Sequence, residues 1–392
     1  MKIAIYIDTL PFSGGGIQSI NYAIRFDKVI KSLGFESFIV TDNLETFNTL
    51  EDTTLIQVYK KSYLDFIYYN LSDFRIFRFF FKKIKYLTRF EKFFKRKNTD
   101  LIIFTSPSSK CLYLNSINYI LCVWDICHRN NLEFNEVKEN LEFEIREDFY
   151  NVALKKAYLI ICDTKELCSD LSFYYRIKKD RLITFPFEIN QKLKIYKNKK
   201  FNKKYIYQNY FIYPAQFWSH KNHFYLLEAF KKIKDKKVKL ILCGSDKGML
   251  KNIEGYINKF NLNKNILILD YVKDEDLFQL YENCIGLIMP TLFGYSNIPP
   301  LEAWYFDKHV VYNENFTSFF KGSKFHPINP LDSESIYRVI KKILNDKNNY
   351  KTKNVMENIN YSFNNKLIIS STKELKIKIN KFYKLQKCWN YE

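Results

Sequence analysis

The sequence of 392 residues lacks the features that mark membrane-spanning and secreted proteins. Its longest uncharged stretch, residues 283–301, contains three prolines and two glycines and is therefore unlike a lipid-spanning helix. Met1-Lys2 leads into a short strand-like run and Asp8 instead of the apolar core of a signal peptide. None of the eight cysteines forms a C-x-x-C pair, and most lie in or beside apolar runs, as reduced core cysteines do. These absences favour a cytoplasmic protein, with peripheral contact at the inner face of the cytoplasmic membrane left open.

The composition instead shows an excess of positive charge. The 62 Lys and Arg residues outnumber the 42 Asp and Glu residues, which gives a net charge of +20. Such a chain favours anionic partners, namely phosphates, nucleic acid or an anionic membrane, although A/T-rich codons can also produce this composition. Apolar residues make up 47% of the chain, which excludes a disordered tail protein and, at this length, predicts two or three folded domains.

Short apolar runs alternate with helical patterns along most of the chain. The strand-like runs lie at residues 2–8, 35–41, 101–105, 119–123, 158–162 and 182–185, and again at 211–213, 238–243, 266–272, 286–290 and 309–312. Helical patterns in the second half lie near 222–234, 248–260, 274–283, 299–306 and 334–345. Continuous apolar strands that alternate with helices predict an α/β fold with parallel sheets covered on both faces.

Two sheets of five or six strands explain this series better than one sheet of ten or more. The polar, basic stretch 190–204 has no apolar period, so we expect it to link two Rossmann-like, doubly wound domains over residues 1–190 and 205–370. Residues 371–392 are predicted to form a basic C-terminal helix or tail. Ligands of such paired domains bind in a cleft that faces the carboxyl ends of the strands.

Residues 59–97 interrupt the alternation with a basic segment in which aromatic residues are interleaved. The segment contains 12 Lys or Arg and three acids, a net charge of +9 and nearly half of the excess of the whole chain. A basic helix with an aromatic face suits the surface of an anionic bilayer. The alternative is a surface helix whose phenylalanines pack on the first sheet.

Two motifs follow strands of the first half. Ser13-Gly-Gly-Gly16 lies between the first strand and a helix, where glycines let backbone N–H groups approach a phosphate at the helix N-terminus. The third glycine of the dinucleotide fingerprint is absent, so a tight turn without a ligand is the alternative. Val123-Trp-Asp-Ile-Cys-His-Arg129 follows a later strand and is predicted to turn Asp125, His128 and Arg129 toward the cleft.

The first motif of the second half predicts a phosphate site around Lys221. This lysine follows the strand at 211–213 and lies near a helix N-terminus. A lysine together with a helix dipole can bind a diphosphate. His220 and His223 flank it, but no acid or cysteine nearby completes a metal site, so capping or packing roles are favoured for both histidines.

The second motif of this half precedes the helix at 299–306. Pro299 and Pro300 fit the first turn of that helix, so Asn297 and Ile298 offer backbone N–H groups at its start. Glu302 projects from the same turn, where it can accept hydrogen bonds from ribose hydroxyls. The alternative role of Glu302 is to satisfy the helix dipole.

With these motifs in place, the chain resembles a GT-B glycosyltransferase of the glycosyl transferases group 1 (family 4) type, in the branch found in bacterial lipopolysaccharide and capsule gene clusters. The resemblance runs from about residue 1 to residue 345. The residues that carry it are the Gly14–Gly16 loop, Trp124-Asp-Ile-Cys-His-Arg129, Phe185-Pro186, Tyr213-Pro-Ala-Gln-Phe-Trp-Ser-His-Lys-Asn222, Gly244-Ser-Asp-Lys-Gly248 and Phe293-Gly-Tyr-Ser-Asn-Ile-Pro-Pro-Leu-Glu-Ala303.

The resemblance implies a retaining enzyme that takes a sugar from a nucleotide-diphosphate donor, without a metal or other cofactor, and transfers it to a glycan or lipid-linked acceptor. It implies that Lys221 neutralises the donor diphosphate and that Glu302 holds the ribose, with Asp125 and His128 as catalytic candidates in the first domain. Donor contacts are implied for Gly14, Gly15, Gly16, Gln216, Gly244, Tyr271, Val272, Asn297 and Ile298. The first glutamate of the pair that is usual in the family is replaced here by Gly294.

Two other functions remain open on the sequence. Another GT-B enzyme, such as a nucleotide-sugar epimerase or a phosphorylase, would turn over a nucleotide-sugar without a glycan acceptor. A basic nucleic-acid-binding protein would bind RNA or DNA in a salt-dependent way, but no RRM, KH or helix-turn-helix signature supports it. No metal site is predicted, because the acids of Asp274-Glu-Asp276 suit a helix start.

Overall fold

The structure is a computed structural model that describes residues 1–11, 14–50, 56–60, 62–72, 76–77, 81, 83–84, 86–189, 193, 209–319, 323–346 and 360–388. The chain divides into two compact units. The first consists of Met1–Ile126, Glu144–Asn190 and Lys366–Glu392, and the second of Cys127–Phe143 and Gln191–Asn365. The linker predicted at 190–204 lies outside the described residues apart from Leu193, and so does Ser13.

The first unit is built on a parallel sheet of seven strands. The strands are β1 (Lys2–Ile7), β2 (Glu36–Thr41), β3 (Ile56–Val58), β4 (Leu101–Phe104), β5 (Asn118–Val123), β6 (Leu159–Cys162) and β7 (Leu182–Thr184). Their order in the sheet is β3-β2-β1-β4-β5-β6-β7. The chain therefore winds outward from β1 to β3 and then returns to the other side of β1, which places a topological switch point between β1 and β4.

The helices of the first half of the chain connect these strands. In chain order they are α1 (Gly14–Lys31), α2 (Leu44–Leu50), α3 (Tyr63–Ser72), α4 (Arg89–Lys95), α5 (Asn135–Lys138), α6 (Glu142–Lys156) and α7 (Lys165–Tyr174). Of these, α5 lies in the segment that groups with the second unit.

The second unit is built on a parallel sheet of six strands. The strands are β8 (Tyr210–Pro214), β9 (Lys239–Cys243), β10 (Ile266–Leu269), β11 (Gly286–Met289), β12 (His309–Asn313) and β13 (Phe325–Ile328). The helices between them are α8 (His223–Lys231), α9 (Leu250–Lys259), α10 (Asp274–Asn283), α11 (Ile298–Tyr305) and α12 (Ser333–Asn345). The order β10-β9-β8-β11-β12-β13 places the switch point of this sheet between β8 and β11.

The last helix, α13 (Asn360–Lys387), packs in the core of the first unit. Leu375, Ile379 and Phe382 recur with helical spacing and are buried there. The ring of Phe382 lies 4.9 Å from that of Tyr158, measured between centroids. The basic helix expected near the C-terminus is therefore a core element, whose lysines occupy the faces turned away from the sheet.

The segment 59–97 is tied into the first unit by its last helix. Phe90 and Phe94 of α4 are fully buried, with ring centroids 5.2 Å and 6.4 Å from that of Tyr6 in β1. The buried carboxylate of Asp65 in α3 accepts hydrogen bonds from the backbone N–H groups of Arg89 and Phe90, at 2.7 Å and 2.9 Å, and so caps the start of α4. For α4, the alternative prediction of a helix whose phenylalanines pack on the first sheet is therefore the correct one. Residues 61, 73–75, 78–80, 82 and 85 of the segment lie outside the described residues.

The eleven strands predicted from apolar runs are all present, with ends that shift by up to three residues. Two further strands make the sheets seven and six strands wide, where five or six were expected. Edge strand β3 has only three residues, and β13 reads Phe-His-Pro-Ile, so neither forms an apolar run that a pattern could show. No helix in the described parts of the chain combines the length and the apolar character that crossing a membrane requires.

Candidate functional site

Lys221 and Asn297 meet at the switch point of the second sheet. The loop 215–222 leaves the carboxyl end of β8, and the loop 290–297 leaves that of the neighbouring strand β11. The Nζ atom of Lys221 donates to the Oδ1 atom of Asn297 at 3.4 Å, and the Nδ2 atom of Asn297 donates to the hydroxyl of Tyr312 at 2.8 Å. The structure thus brings together a cation and the start of α11, which the sequence predicted from two separate motifs.

The loop that carries Lys221 is held in place by buried hydrogen bonds. Ser219–Lys221 forms one turn of 3-10 helix, which ends at Asn222 in the left-handed conformation with φ 58°. The buried amide of Asn222 donates to the carbonyls of Pro290 and Pro330, at 3.1 Å and 2.7 Å. The hydroxyl of Tyr213 donates to the carbonyl of Lys221 at 2.8 Å. These bonds restrict the backbone from which the ammonium projects.

The start of α11 faces the same loop. Asn297 is its extended N-cap residue, and its side chain makes no capping hydrogen bond, since its oxygen and nitrogen bond Lys221 and Tyr312. Proline occupies the early positions of the helix as predicted. Gly294, with φ 126°, has a conformation that favours glycine, and a Cβ atom there would lie 3.1 Å from the Asn297 side chain. Glycine at 294 is thus the residue that this loop conformation requires.

Glu302, one turn into α11, is buried rather than solvent-facing, with 8% of the residue exposed. Burial raises its pKa to about 7, although a hydrogen bond from Tyr281 lowers it, and the negative charge of Asp274 raises it further. A carboxyl group with this pKa changes its protonation state near neutral pH. It can accept hydrogen bonds from ligand hydroxyls when it is ionised.

We expect the buried Glu302 to make the protein less stable as the pH rises. Its folded-state pKa of about 7 lies above the ordinary value of 4.5, so the stability present below pH 4.5 is lost as pH rises through 7. The loss amounts to about 3 kcal/mol at full ionisation. Denaturant unfolding of wild type and Glu302→Gln across this window should give free energies of unfolding that diverge by that amount. Parallel curves would show that the carboxyl group is not perturbed.

Gln216 and Gly244 lie together beside this site. A Cβ atom on Gly244 would collide with the carbonyl of Ala215, so glycine is required where β9 ends against the β8 loop. The Nε2 atom of Gln216 donates to the hydroxyl of Ser245 at 3.3 Å, and its Oε1 atom accepts from the Trp218 indole at 3.0 Å. The two residues therefore form one patch that extends along the carboxyl ends of β8 and β9.

Tyr271 and Val272 follow β10, two strands from β8 in the sheet. Tyr271 is 54% exposed, and Val272 packs against the core of the unit. They therefore lie along the same sheet edge as Gln216, farther from Lys221. Ile298 is the first residue of α11, beside Asn297.

Glu136, which no sequence motif marks, contacts the Lys221 loop. Its carboxylate accepts hydrogen bonds from the Ser219 hydroxyl, the His220 backbone N–H at 3.0 Å and the His220 Nδ1 atom at 2.7 Å. Burial alone would raise the pKa of Glu136, but these hydrogen bonds lower it to about 2. Glu136 precedes its partners by more than 80 residues and stands in no motif, so the sequence contains no signal for this contact.

The two histidines of the motif differ in their surroundings. His220 bonds Glu136, whereas His223 is 3% exposed and lies between the rings of Tyr213 and Phe217, at 4.9 Å and 5.0 Å between centroids. Neither ring nitrogen of His223 has a hydrogen-bond partner among the described residues. Burial lowers its pKa to about 3, and the charge of Lys221 adds to this effect. Across the described chain, no group of three His, Cys, Asp or Glu side chains is arranged to hold a metal ion.

Replacing His223 with phenylalanine is expected to stabilise the protein by about 1 kcal/mol or more. The substitution keeps a ring between two rings and removes two buried nitrogens that lack partners, each of which opposes folding. Thermal unfolding of His223→Phe measures the gain. The matched variant His220→Phe should lose stability, because it breaks the bond to Glu136. A destabilised His223→Phe protein would show that the buried nitrogens are satisfied.

The glycine loop of the first unit packs tightly against its neighbours. A Cβ atom on Gly15 would lie 2.6 Å from the ring of Trp124, and one on Gly16 would overlap the carbonyl of Leu10. Gly14 is the first residue of α1. Close packing thus accounts for two of these glycines without a ligand, and their predicted approach to a phosphate stays a prediction.

Asp125 forms an ion pair that the sequence did not predict. Arg146 of α6 donates through one nitrogen to the Asp125 carboxylate at 2.5 Å and to its carbonyl at 3.0 Å, while the Tyr150 hydroxyl donates to the same carbonyl at 3.1 Å. The charge of Asp125 raises the pKa of Arg146, although burial opposes this effect. His128 is fully buried and groups with the second unit, while Asp125 belongs to the first.

The comparisons with known proteins agree with this geometry. Residues 194–362, within the second unit, match the model of the family described as Glycosyl transferases group 1. An uncharacterised glycosyltransferase of Methanocaldococcus jannaschii is 30% identical over 179 residues, which cover 43% of this chain and 42% of that protein. The match therefore spans less than half the length of this relative.

Solved structures share the whole fold at low sequence identity. HepE of Anabaena, in complex with UDP and glucose, has a TM-score of 0.62 and 12% identity, with 99% of this chain and 100% of that chain covered. WaaG, a glycosyltransferase involved in lipopolysaccharide biosynthesis, has a TM-score of 0.57 and 15% identity, with 95% and 94% covered. Two Rossmann-like units with parallel sheets of seven and six strands match GT-B glycosyltransferase structures, as predicted.

Proposed function

We propose that this chain, whose residues 194–362 match the glycosyl transferases group 1 model, is a retaining glycosyltransferase that uses a nucleotide-diphosphate sugar as donor. The observation that supports it most is the contact between Lys221 and Asn297 at the switch point of the second sheet. An ammonium group and a helix start that converge at a switch point suit a diphosphate. The binding of UDP and glucose by HepE, which has a similar fold, also supports a nucleotide-sugar donor.

The reaction needs stabilisation of the charge that develops on the leaving diphosphate. The bond between the anomeric carbon and the diphosphate oxygen breaks, and Lys221 with the backbone N–H groups of Asn297 and Ile298 stabilises that oxygen. The acceptor hydroxyl attacks the anomeric carbon from the same face, and its proton passes to the departing diphosphate. The sugar keeps its configuration, and the cation of Lys221 takes the place of a metal ion.

The other residues have supporting roles in this proposal. Glu302 in its ionised form accepts hydrogen bonds from the ribose hydroxyls, and the patch of Gln216 and Gly244, with Tyr271 and Val272 beyond it, borders the base. In the first unit, Gly14, Gly15 and Gly16 are candidates for donor contacts and Asp125 is a catalytic candidate, as is His128 in the segment that follows it. The role of WaaG in lipopolysaccharide biosynthesis supports a glycan or lipid-linked acceptor in a bacterial surface polysaccharide.

A thermal-shift screen of UDP-, GDP- and ADP-sugars tests the donor, because a ligand that binds only the folded state raises the melting temperature. We expect one nucleotide class to give a shift and the others to give none. Incubation of that donor with candidate acceptors, followed by NMR of the anomeric proton, should show a retained configuration, and EDTA should leave the rate unchanged. Epimerisation or phosphorolysis of the nucleotide-sugar without an acceptor would contradict glycosyl transfer. If no nucleotide-sugar shifts the melting temperature, the proposed donor site is wrong.

We also propose that the first unit binds an anionic membrane surface through α3. Tyr63, Phe66 and Ile67 recur with helical spacing and are 75%, 54% and 37% exposed, while Asp65 points into the protein with 2% exposure. Exposed basic residues among the described part of the same segment are Lys60, Lys83, Arg89, Lys92, Lys95 and Arg96. An exposed apolar face among basic side chains is complementary to an anionic bilayer. Such binding would bring the enzyme to a lipid-linked acceptor.

Replacing Phe66 and Ile67 together with serine is expected to lower binding to anionic vesicles about 10-fold or more, since each side chain loses its burial in the bilayer. Co-sedimentation with phosphatidylcholine vesicles, with and without phosphatidylglycerol, measures the effect. The control is Phe173→Ser, which removes a phenylalanine of α7 in the same unit that is 77% exposed. Equal vesicle binding by all three proteins would contradict a membrane role for α3.

A further inference from the structure

The segment Cys127–Phe143 belongs to the second unit, although the chain before and after it builds the first. It contains the short helix α5, and Glu136 of that helix is the residue that reaches the Lys221 loop. Neither its length nor its composition requires it to pack on this sheet. The contacts of this segment show which loops of the second unit it stabilises.

The Glu136 side chain contacts the two residues directly before Lys221. Its two carboxylate oxygens accept three hydrogen bonds, from the hydroxyl of Ser219 and from the backbone and the ring of His220. The Glu136 and His220 side chains are each 11% exposed. Because a carboxylate that accepts several hydrogen bonds in a dry environment is strongly oriented, this contact fixes the turn from which Lys221 projects.

The same segment also contacts the second loop of the site. The ring of Phe293 stacks on that of His220, with 3.9 Å between centroids and 16° between planes. Phe134 packs edge-on against Phe293 at 5.3 Å. The backbone N–H of Leu292 donates to the carbonyl of His220 at 2.9 Å. Glu136 and Phe134 therefore bind both loops, the one with Lys221 and the one that leads to Asn297.

We infer that Glu136 is a positioning residue for the diphosphate site, which acts by holding Ser219 and His220 so that the Lys221 ammonium stays at the start of α11. This inference rests on the proposed function, because the diphosphate site is part of that proposal. Glu136 itself lies outside the residues that match the group 1 model. It predicts that Glu136 contributes to diphosphate binding only through Lys221. The carboxylate itself touches protein donors and not the ligand.

A change of pH around neutrality does not alter the charge of Glu136 in this contact. With its pKa at about 2, Glu136 stays ionised at any pH at which activity would be measured. The groups that face its carboxylate are Ser219 and His220, and any protonation of His220 keeps a donor toward it. The carboxylate of Glu136 is therefore ionised throughout a binding experiment at neutral pH.

A double-mutant cycle tests the inference with UDP, GDP and ADP as probes in titration calorimetry. For the nucleotide that wild type binds, Glu136→Ala should weaken affinity about 10-fold and Lys221→Ala about 100-fold. In the Lys221→Ala protein, Glu136→Ala should change affinity less than twofold, because its effect passes through the lysine. Glu136→Gln should recover part of the loss, since its amide oxygen can still accept from the loop.

Glu228→Gln is the matched control. This glutamate of α8 also accepts a hydrogen bond, from Tyr256, within the second unit, but its partner belongs to neither loop. It should bind nucleotide like wild type, and a melting curve for each variant shows that all are folded. Should Glu136→Ala destabilise the fold, Glu136→Gln and Ser219→Ala provide the same cycle with smaller changes.

The outcomes separate the two proposals. Wild-type affinity in Glu136→Ala, or an equal loss with and without Lys221, would overturn the positioning role and leave the proposed function standing. A wild-type protein that binds none of the three nucleotides would overturn the proposed function, and the positioning role with it.

Discussion

Replacing Lys221 with alanine is expected to lower kcat/KM for sugar transfer about 1,000-fold, which corresponds to about 4 kcal/mol of transition-state stabilisation. The ammonium lies 3.4 Å from the Asn297 side chain at the switch point of the second sheet. The diphosphate gains negative charge as the glycosidic bond breaks, so the lysine matters more in the transition state than in the bound donor. We therefore expect KM for the donor to rise only about 10-fold, with the larger loss in kcat. The affinity for the free nucleoside diphosphate falls further, by about 100-fold, because it already carries the charge that the leaving group gains.

Lys231→Ala provides the control for this substitution. Lys231 is an exposed lysine at the end of α8, in the same unit, and its Nζ atom lies over the ring of Phe260. It should keep wild-type kinetics. Sugar transfer by Lys221→Ala at a rate close to wild type would contradict the assignment of the diphosphate to this site.

Replacing Glu91 with alanine is expected to destabilise the first unit by about 3 kcal/mol. Glu91 is fully buried in α4, and its carboxylate accepts from the backbone N–H groups of Asn115, Ser116 and Ile117, at 3.0 Å, 2.6 Å and 3.2 Å. The Ser116 hydroxyl adds a fourth bond at 2.7 Å. Without the carboxylate the buried N–H of Ile117 loses its partner at the entry to β5, and the N–H groups of the exposed residues Asn115 and Ser116 lose theirs. Denaturant unfolding measures the cost.

The controls for Glu91 are a conservative and a distant substitution. Glu91→Gln keeps one acceptor oxygen and should lose less stability than Glu91→Ala. Glu374→Ala, on an exposed position of α13 in the same unit, should change stability by less than about 0.5 kcal/mol. If Glu91→Ala is as stable as wild type, α4 is not the core element that its buried phenylalanines indicate.

The fold was predictable where one local signal was strong. Fully buried parallel strands such as β1 and β6 are short apolar runs in sequence, and the helical period of α12 is equally plain. The fate of residues 59–97 was harder to predict, because composition does not distinguish an inward from an outward phenylalanine. Phe90 and Phe66 belong to the same basic, aromatic-rich segment, yet of the two only Phe90 is buried, in the helix that hydrogen bonds to Asp65 and Glu91 hold in place.

The same limit applies to the site. Lys221 and Asn297 were found because each follows a strand and precedes a helix, and strand order then brings them together. Glu136 and Arg146 were not found, because each reaches its partner across a distance in sequence that no motif spans. The burial of Glu302 was also missed, since its position in the first turn of a helix suggests exposure, whereas Tyr281 covers it.

Amide hydrogen exchange with and without the nucleotide-sugar donor tests the central claim most directly, because it reports where the ligand binds. The donor should slow exchange in the loops 215–222 and 290–297 and in the first turn of α11. With the donor at the wild-type KM, Lys221→Ala should lose most of this protection. Protection that leaves both loops unchanged, or that persists fully in Lys221→Ala, would contradict a diphosphate site at the switch point of the second sheet.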